Sequence, residues 1–114
     1  MPVQQWNDDT LVVTLTDDPI LSEEMAEVNA LLRGAGCDVV LDLADLGLLT
    51  SSGISKLLRL RKHMVEMGRR LVLCSLSDRV WGVLLATGLD GLFEFAGNVT
   101  EALTRLESDK AGGG

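Results

Sequence analysis

The sequence predicts a single α/β domain with a mixed, mostly parallel sheet. Strand-like and helix-like segments alternate, the buried strand candidates are short runs of branched apolar residues, and only the first two strands are joined by a tight turn. Such alternation requires right-handed crossovers. We therefore expect about four to five strands, about four helices and an antiparallel edge at the N-terminus. The 114 residues divide into one domain, 1–108, and a flexible glycine-rich tail, 109–114.

The first part of the chain predicts a hairpin, a helix and a buried strand. Segments 3–6 and 11–15 flank an Asn-Asp-Asp turn former, which is typical of a hairpin. Ser22 precedes two glutamates and predicts the start of a helix. We expect this helix to end near residues 34–36. The apolar positions of this helix share one face: Met25, Val28, Leu31 and Leu32. Segment 39–41 is short, branched and apolar, as expected for a buried strand.

The strongest helical pattern covers residues 53–67, after a loop, 42–52, that is rich in leucine and hydroxyl side chains. Its predicted apolar face consists of Ile54, Leu57, Leu58, Met64 and Val65. Arg61 falls inside this apolar arc, so we expect its long side chain to carry the charge out to solvent. Gly68 is expected to end the helix.

The last part of the chain predicts two strands and two helices. Segment 70–74 contains a second buried strand, and Ser77 is placed to cap a helix that ends at residues 87–88. Segment 92–95 predicts a short strand. Asn98 and the glutamate three residues later have the spacing of a capping box, which opens the last helix.

Composition excludes several classes of function. Ten basic against 17 acidic residues give a net charge of −7, which disfavours binding to nucleic acid or to an anionic membrane. We find no apolar run of roughly 20 residues for a membrane span, and no basic and apolar start for a signal peptide. Two cysteines are too few for a disulfide scaffold. We therefore expect a cytoplasmic protein with reduced thiols.

The residues with catalytic or metal-binding chemistry do not form a convincing group. His63 is expected on a solvated helix face, and Cys37 and Cys74 are expected to be small core residues. Asp42 and Asp45 follow a strand, but no third acid or histidine accompanies them, so loop solvation is the simpler interpretation. The sequence therefore predicts no catalytic residues, no metal ligands and no cofactor.

Two polar clusters leave a functional and a structural interpretation open. The hydroxyls of Thr50, Ser51 and Ser52 precede Gly53 at the start of the amphipathic helix, where a phosphoryl group is well placed. Helix capping is the more common role for such residues. A second cluster is basic and is either solvated or contacts an acidic partner: Arg59, Arg61, Lys62, Arg69 and Arg70.

Four segments in order resemble the STAS domain family, which includes anti-sigma factor antagonists and the cytoplasmic domains of sulfate transporters. They are residues 40–43, residues 48–54, residues 68–73 and the Leu-x-x-Thr-Gly-Leu-x-x-Leu-Phe run of 84–93. The resemblance covers residues 38–106 well and the first 37 residues loosely. It implies the same α/β fold that the segment order predicts.

The resemblance also implies a function. Anti-sigma factor antagonists carry an Asp-Ser-Ser-Gly motif whose first serine is phosphorylated by the partner kinase, which is itself the anti-sigma factor. The unphosphorylated antagonist binds this kinase and frees the sigma factor, and a serine phosphatase resets the switch. By position, the phosphoacceptor is Ser51, with Ser52 as second choice, and Gly53 provides the turn into the helix. The implied partner-binding residues are Thr50, Ser51, Ser52, Gly53, Ile54 and Lys56.

Two departures from the family pattern keep other functions open. Thr50 stands where the family usually has Asp, and the acidic segment 17–19 stands near a usual glycine. A non-switching scaffold or accessory subunit, in a signalling complex or a lipid-transport ATPase, is the alternative. A small hydrolase or nucleotide-binding enzyme is disfavoured, because the chain lacks a base-nucleophile pair, a phosphate-binding loop and a metal set. The resemblance implies no particular oligomeric state.

Overall fold

A computed structural model of the chain places five strands in one mixed sheet, in the order β1-β2-β3-β4-β5. It describes residues 3–7, 9–17, 25–30 and 36–112, the last four of these as helical backbone. The strands are β1 Val3–Asn7, β2 Thr10–Thr14, β3 Asp38–Asp42, β4 Leu71–Cys74 and β5 Glu94–Ala96. The helices are α1 at residues 25–30, α2 Ser51–Met67, α3 Asp78–Ala86 and α4 Val99–Gly112, with a 3-10 turn at Leu89–Leu92.

The predicted sheet is confirmed, because β1 pairs antiparallel with β2 and the other neighbours are parallel. In the parallel register Leu41 lies between Val13 and Leu73. These three side chains form a row across the sheet that packs with α1, α2 and α3. The adjacent row points to the other face, where it packs with α4: Val12, Val40 and Val72. Both faces of the central strands are therefore covered by helices, which explains why the middle residues of these strands are apolar.

Helix α2 begins two residues earlier than the pattern predicted, at Ser51. Its buried residues form a narrower stripe than expected: Gly53, Leu57, Leu60 and Met64. The assignment of Val65 to the apolar face is wrong, since this side chain is 63% exposed. A helix resting on a sheet buries only the stripe in contact with it, whereas the sequence pattern marks every apolar position on that side.

Arg61 makes a contact that the expectation of a solvent-directed charge did not include. Its side chain is half-buried, and Nε donates a 2.7 Å hydrogen bond to the carbonyl oxygen of Leu92. The guanidinium therefore ties α2 to the 3-10 turn, which explains how an arginine can lie within the apolar arc.

The second half of the chain follows the predicted order with one shift. Ser77 caps α3 as predicted, accepting a 3.2 Å bond from the backbone N–H of Val80. The predicted strand 92–95 instead begins at Glu94, because a 3-10 turn occupies Leu89–Leu92. Gly88 precedes this turn with φ of 74°, a left-handed conformation that glycine adopts without strain.

The first and last helices are consistent with their predicted patterns where the structure describes them. Met25 and Val28 of α1 are buried, whereas the predicted start at Ser22, the two leucines after position 30 and the predicted end lie outside the described residues. At the start of α4 the Asn98 side chain accepts a 2.8 Å bond from the N–H of Glu101. The helical backbone of α4 continues to Gly112, into the segment predicted as tail.

Alanine substitutions at two exposed glycines are expected to change the free energy of unfolding in opposite directions. Gly68 ends α2 with φ of 68°, and a Cβ there would meet no atom within 4 Å, so Gly68→Ala adds only backbone strain. We expect it to lower the free energy of unfolding by about 1 kcal/mol. Gly82 lies inside α3 with the same open space. We expect Gly82→Ala to raise it by about 1 kcal/mol, since alanine favours helix. Urea titration measures both, and a stabilising Gly68→Ala would contradict the left-handed cap.

Candidate functional site

The loop between β3 and α2, residues 43–50, is fastened to the segment that follows β2. Oδ1 of Asp17 accepts hydrogen bonds from the backbone N–H groups of Gly47, at 3.0 Å, and Leu48, at 3.2 Å. Three leucines of the loop are buried beneath it: Leu43, Leu46 and Leu49. The loop therefore has a defined path at the carboxyl end of the parallel strands, where α/β proteins commonly place functional groups.

Thr50 is the residue that caps α2. Its backbone is extended, with φ of −91° and ψ of 168°, and its Oγ1 accepts a 3.1 Å bond from the N–H of Gly53. Its carbonyl oxygen accepts the first helical bond, from Ile54, at 2.9 Å. Aspartate and threonine are both good capping residues, so Thr50 can fill the capping role of the usual family Asp without its negative charge.

Ser51 and Ser52 are the first two helical residues, and both are exposed. The Ser52 hydroxyl accepts a 2.6 Å hydrogen bond from Nζ of Lys56 one turn later. The Ser51 hydroxyl has no hydrogen-bond partner among the described residues. No acidic side chain lies in this first turn, so the positive end of the helix dipole is left uncompensated by the helix itself. A negative group attached to Ser51 would be stabilised there.

Gly53 and Ile54 contribute in a different way from that implied by the resemblance. Gly53 is a buried residue inside α2 rather than the turn into it, and a Cβ on it would lie 3.2 Å from Cδ1 of Leu49. Glycine therefore allows close packing against Leu49 here, and its backbone angle is not an unusual one. Ile54 is half-buried and packs against the main core. Of the six predicted site residues, Ser51 and Ser52 are exposed, Thr50, Ile54 and Lys56 are half-buried, and Gly53 is buried.

The other candidates from the sequence lie away from any reactive arrangement. Cys37 and Cys74 are buried, as expected of core residues. Burial, and secondarily the Asp42 carboxylate, raises the pKa of the Cys74 thiol to about 11, so it stays protonated at neutral pH. Within the described ranges, no three His, Cys, Asp or Glu side chains are grouped as metal ligands would be. In the same part of the chain, no helix has the length and apolar character that crossing a bilayer requires.

A cleft beside Lys56 is part of the same surface, and sequence reasoning did not find it. It has a volume of about 140 Å³ and lies between α1 and α2, lined by Met25, Ala26, Asn29, Lys56 and Arg59. Lys56 connects it to Ser52 through the hydrogen bond described above. The periodicity of α2 gives no indication of which other helix lies beside it, so no sequence signal marked the α1 residues.

The sequence profile of the STAS domain matches residues 5–102. This chain belongs to the STAS domain family. The match covers the whole sheet apart from the first two residues of β1, and all of the loop, Thr50 cap and α2 start described above. No curated protein sequence matches the chain significantly.

Solved structures show the same fold as this STAS domain. A serine-to-glutamate variant of RsbS from Moorella thermoacetica has a TM-score of 0.81 at 23% identity, over 94% of each chain. The unphosphorylated form of the anti-sigma factor antagonist SpoIIAA has a TM-score of 0.80 at 19% identity, over 93% of this chain and 95% of that one. An anti-sigma-factor antagonist (STAS) domain protein from Planctomyces limnophilus has a TM-score of 0.80 at 22% identity, over 92% and 97%.

The capping role of Thr50 can be tested by stability alone. Thr50→Ala removes the acceptor for the Gly53 N–H, so we expect the free energy of unfolding to fall by about 1 kcal/mol, while Thr50→Asp keeps the cap. Thr104→Ala is the control, because Thr104 is an exposed residue inside α4. Alanine has a higher helix propensity than threonine, so we expect no loss of stability there. Urea titration is the measurement, and equal effects of the two alanine variants would contradict a cap at Thr50.

Proposed function

We propose that this STAS domain is a regulatory binding module of the anti-sigma factor antagonist type. In this proposal it binds an anti-sigma factor that has serine kinase activity, and phosphorylation of Ser51 releases that partner. The observation that carries the proposal is that capping and exposure belong to different hydroxyl groups at the start of α2. Thr50 provides the cap, which leaves the Ser51 hydroxyl exposed and free of hydrogen bonds to the described residues.

The position of Ser51 suits a phosphoacceptor in both of its states. A phosphoryl group adds about −1.5 to −2 charges at neutral pH, and the N-terminal end of a helix stabilises such a charge. The Thr50 cap does not use the Ser51 side chain, so modification leaves the cap intact. The phosphorylated domain would therefore stay folded, and the change would act on the binding surface.

Ser52 is the less suitable of the two exposed serines. Its hydroxyl already accepts a hydrogen bond from Lys56, which a kinase would have to break. A phosphate on Ser52 would also lie beside that lysine, which would neutralise part of its charge. A phosphate on Ser51 has no lysine one turn later, where Ser55 stands, so it would be neutralised less directly than a phosphate on Ser52.

The release step follows from the cost of burying a dianion. Docking over phosphorylated Ser51 would require the phosphate to lose water, and acidic groups on the partner would be repelled. A loss of about 3 kcal/mol weakens affinity by roughly two decades. A serine phosphatase would restore binding, and we place this cycle in the cytoplasm.

A second function is favoured by one observation, the threonine at position 50. Thr50 preserves the cap but removes the negative charge that the family usually carries beside the phosphoacceptor. A scaffold or accessory subunit that never switches needs the cap and does not need the charge. In that case Ser51 would be an ordinary exposed helix residue.

The deciding experiment uses four baits in the native organism's lysate, with the captured proteins identified by mass spectrometry. We expect the wild type and Ser51→Ala to capture a kinase-fold anti-sigma factor and Ser51→Asp to lose it. Ser108→Asp is the matched control, because Ser108 is exposed on α4, which packs on the opposite face of the sheet. A partner caught equally by all four proteins, in particular an ATPase or another STAS protein, would instead establish the non-switching scaffold.

A further inference from the structure

The exposed side of α2 carries an excess of positive charge. We call Lys56, Arg59 and Lys62 the α2 basic face. They follow Ser52 along the outer side of the helix, and the first acidic residue of α2 is Glu66. The whole chain has a net charge of −7, so this face differs in sign from the protein that carries it. Its position continues the exposed surface that begins at Ser51.

The structure separates two groups within the basic cluster seen in the sequence. Three of its arginines are engaged within the chain: Arg61 with the Leu92 carbonyl oxygen, Arg69 with the Asp38 carboxylate and Arg70 with the Glu94 carboxylate. Arg59 and Lys62 are exposed and form no ion pair or hydrogen bond with the described residues. Within this cluster Arg59 and Lys62 therefore have cationic groups left for an external partner, and Lys56 beside them holds one hydrogen bond, to Ser52.

The cleft between α1 and α2 adds a small recess of mixed character to this charged surface, with Met25 and Ala26 as its apolar lining residues. Lys56 and Arg59 form one side, and Met25, Ala26 and Asn29 of α1 form the other. Its volume of about 140 Å³ is suited to one side chain and not to a segment of chain. None of the five described residues that line it is acidic, and two of them, Lys56 and Arg59, are cationic.

We propose that the α2 basic face and the cleft bind a protein surface that presents carboxylates around a single apolar side chain. This deepens the proposed function and rests on it, since the partner would be the anti-sigma factor. Charge complementarity selects an acidic protein surface. A nucleic acid carries a far higher density of negative charge than such a surface, so the net charge of −7 would repel it more strongly.

This arrangement also gives the switch its direction. The α2 basic face contributes three positive charges, and a phosphate on Ser51 adds about −1.5 to −2 at its N-terminal end. The remaining charge would be about one third to one half of its original value. Phosphorylation would thus weaken the attraction for carboxylates as well as requiring removal of water from the phosphate.

The proposal can be tested without knowing the partner. The probe is a synthetic peptide of glutamates around one leucine, titrated into the full ¹⁵N-labelled chain at about 10 mM salt, where the Debye length is ~30 Å. We expect amide shifts in segments 25–30 and 56–62. Shifts centred on residues 69–70, or no shifts, would overturn the proposal. A thymidine oligonucleotide of equal charge is the second probe, and equal binding at the same residues would overturn the assignment to a protein surface.

Two matched charge reversals test whether the peptide binds at the α2 basic face. Arg59 and Arg79 are both exposed arginines on helices of the same sheet face, and each substitution by Glu changes the net charge by the same amount. We expect Arg59→Glu to weaken peptide binding about tenfold or more and Arg79→Glu to leave it within about twofold. Equal losses would show a general charge effect and overturn the proposal.

The two proposals fail separately. If the peptide does not bind at the α2 basic face while Ser51→Asp still releases a captured kinase, only the carboxylate-recognising surface is wrong. If the peptide binds there and no kinase is captured by the wild type, the antagonist function is wrong and the acidic-surface site stands.

Discussion

The architecture depends on a parallel sheet that is covered on both of its faces. Strands β2, β3 and β4 are almost entirely buried, and their apolar side chains divide between a three-helix layer and the single helix α4. Such a sheet has no room for unpaired polar groups, because a buried polar group without a partner is costly. Polar chemistry is therefore confined to the loops and helix ends, and the candidate site lies at one of these places.

At the amino ends of the same strands, a buried carboxylate is held by hydrogen bonding and ion pairing. Asp38 is a buried charged residue, only 4% exposed, and its carboxylate accepts a 2.9 Å bond from the N–H of Arg70. It also lies 3.3 Å from Nε of Arg69, whose guanidinium donates to the carbonyl oxygen of Asp9. The charges at this end of the sheet thus hold strands together, whereas Arg59 and Lys62 on α2 are exposed.

The start of α2 shows how a stable fold can carry a reversible modification. A helix start needs an acceptor for its free N–H groups, and Thr50 supplies one. The Ser51 hydroxyl takes no part in this cap. Because the cap uses the Thr50 hydroxyl, the proposed phosphorylation of Ser51 would add a charge without removing that hydrogen bond. Buried Gly53 and Leu49 keep this arrangement in place beneath the surface.

The sequence by itself determined the class of fold, the order of the elements and most of their boundaries. These follow from local signals: apolar periodicity, capping residues such as Ser77 and Asn98, and glycine at the end of α2. The resemblance carried by residues 48–54 and by the Thr-Gly-Leu run added the family, which the profile match confirmed. The caps were predictable because each one involves residues only three positions apart.

Only the tertiary structure decided which parts of those elements face solvent and which charges are free. Val65 belongs to an apolar pattern yet is exposed, and Arg61 bonds to a carbonyl 31 residues away. The cleft beside Arg59 exists because α1 lies next to α2. Periodicity describes a helix relative to its own axis, whereas burial and ion pairing depend on what lies across from it. That information resides in contacts between distant segments, which the spacing of residues along one helix does not contain.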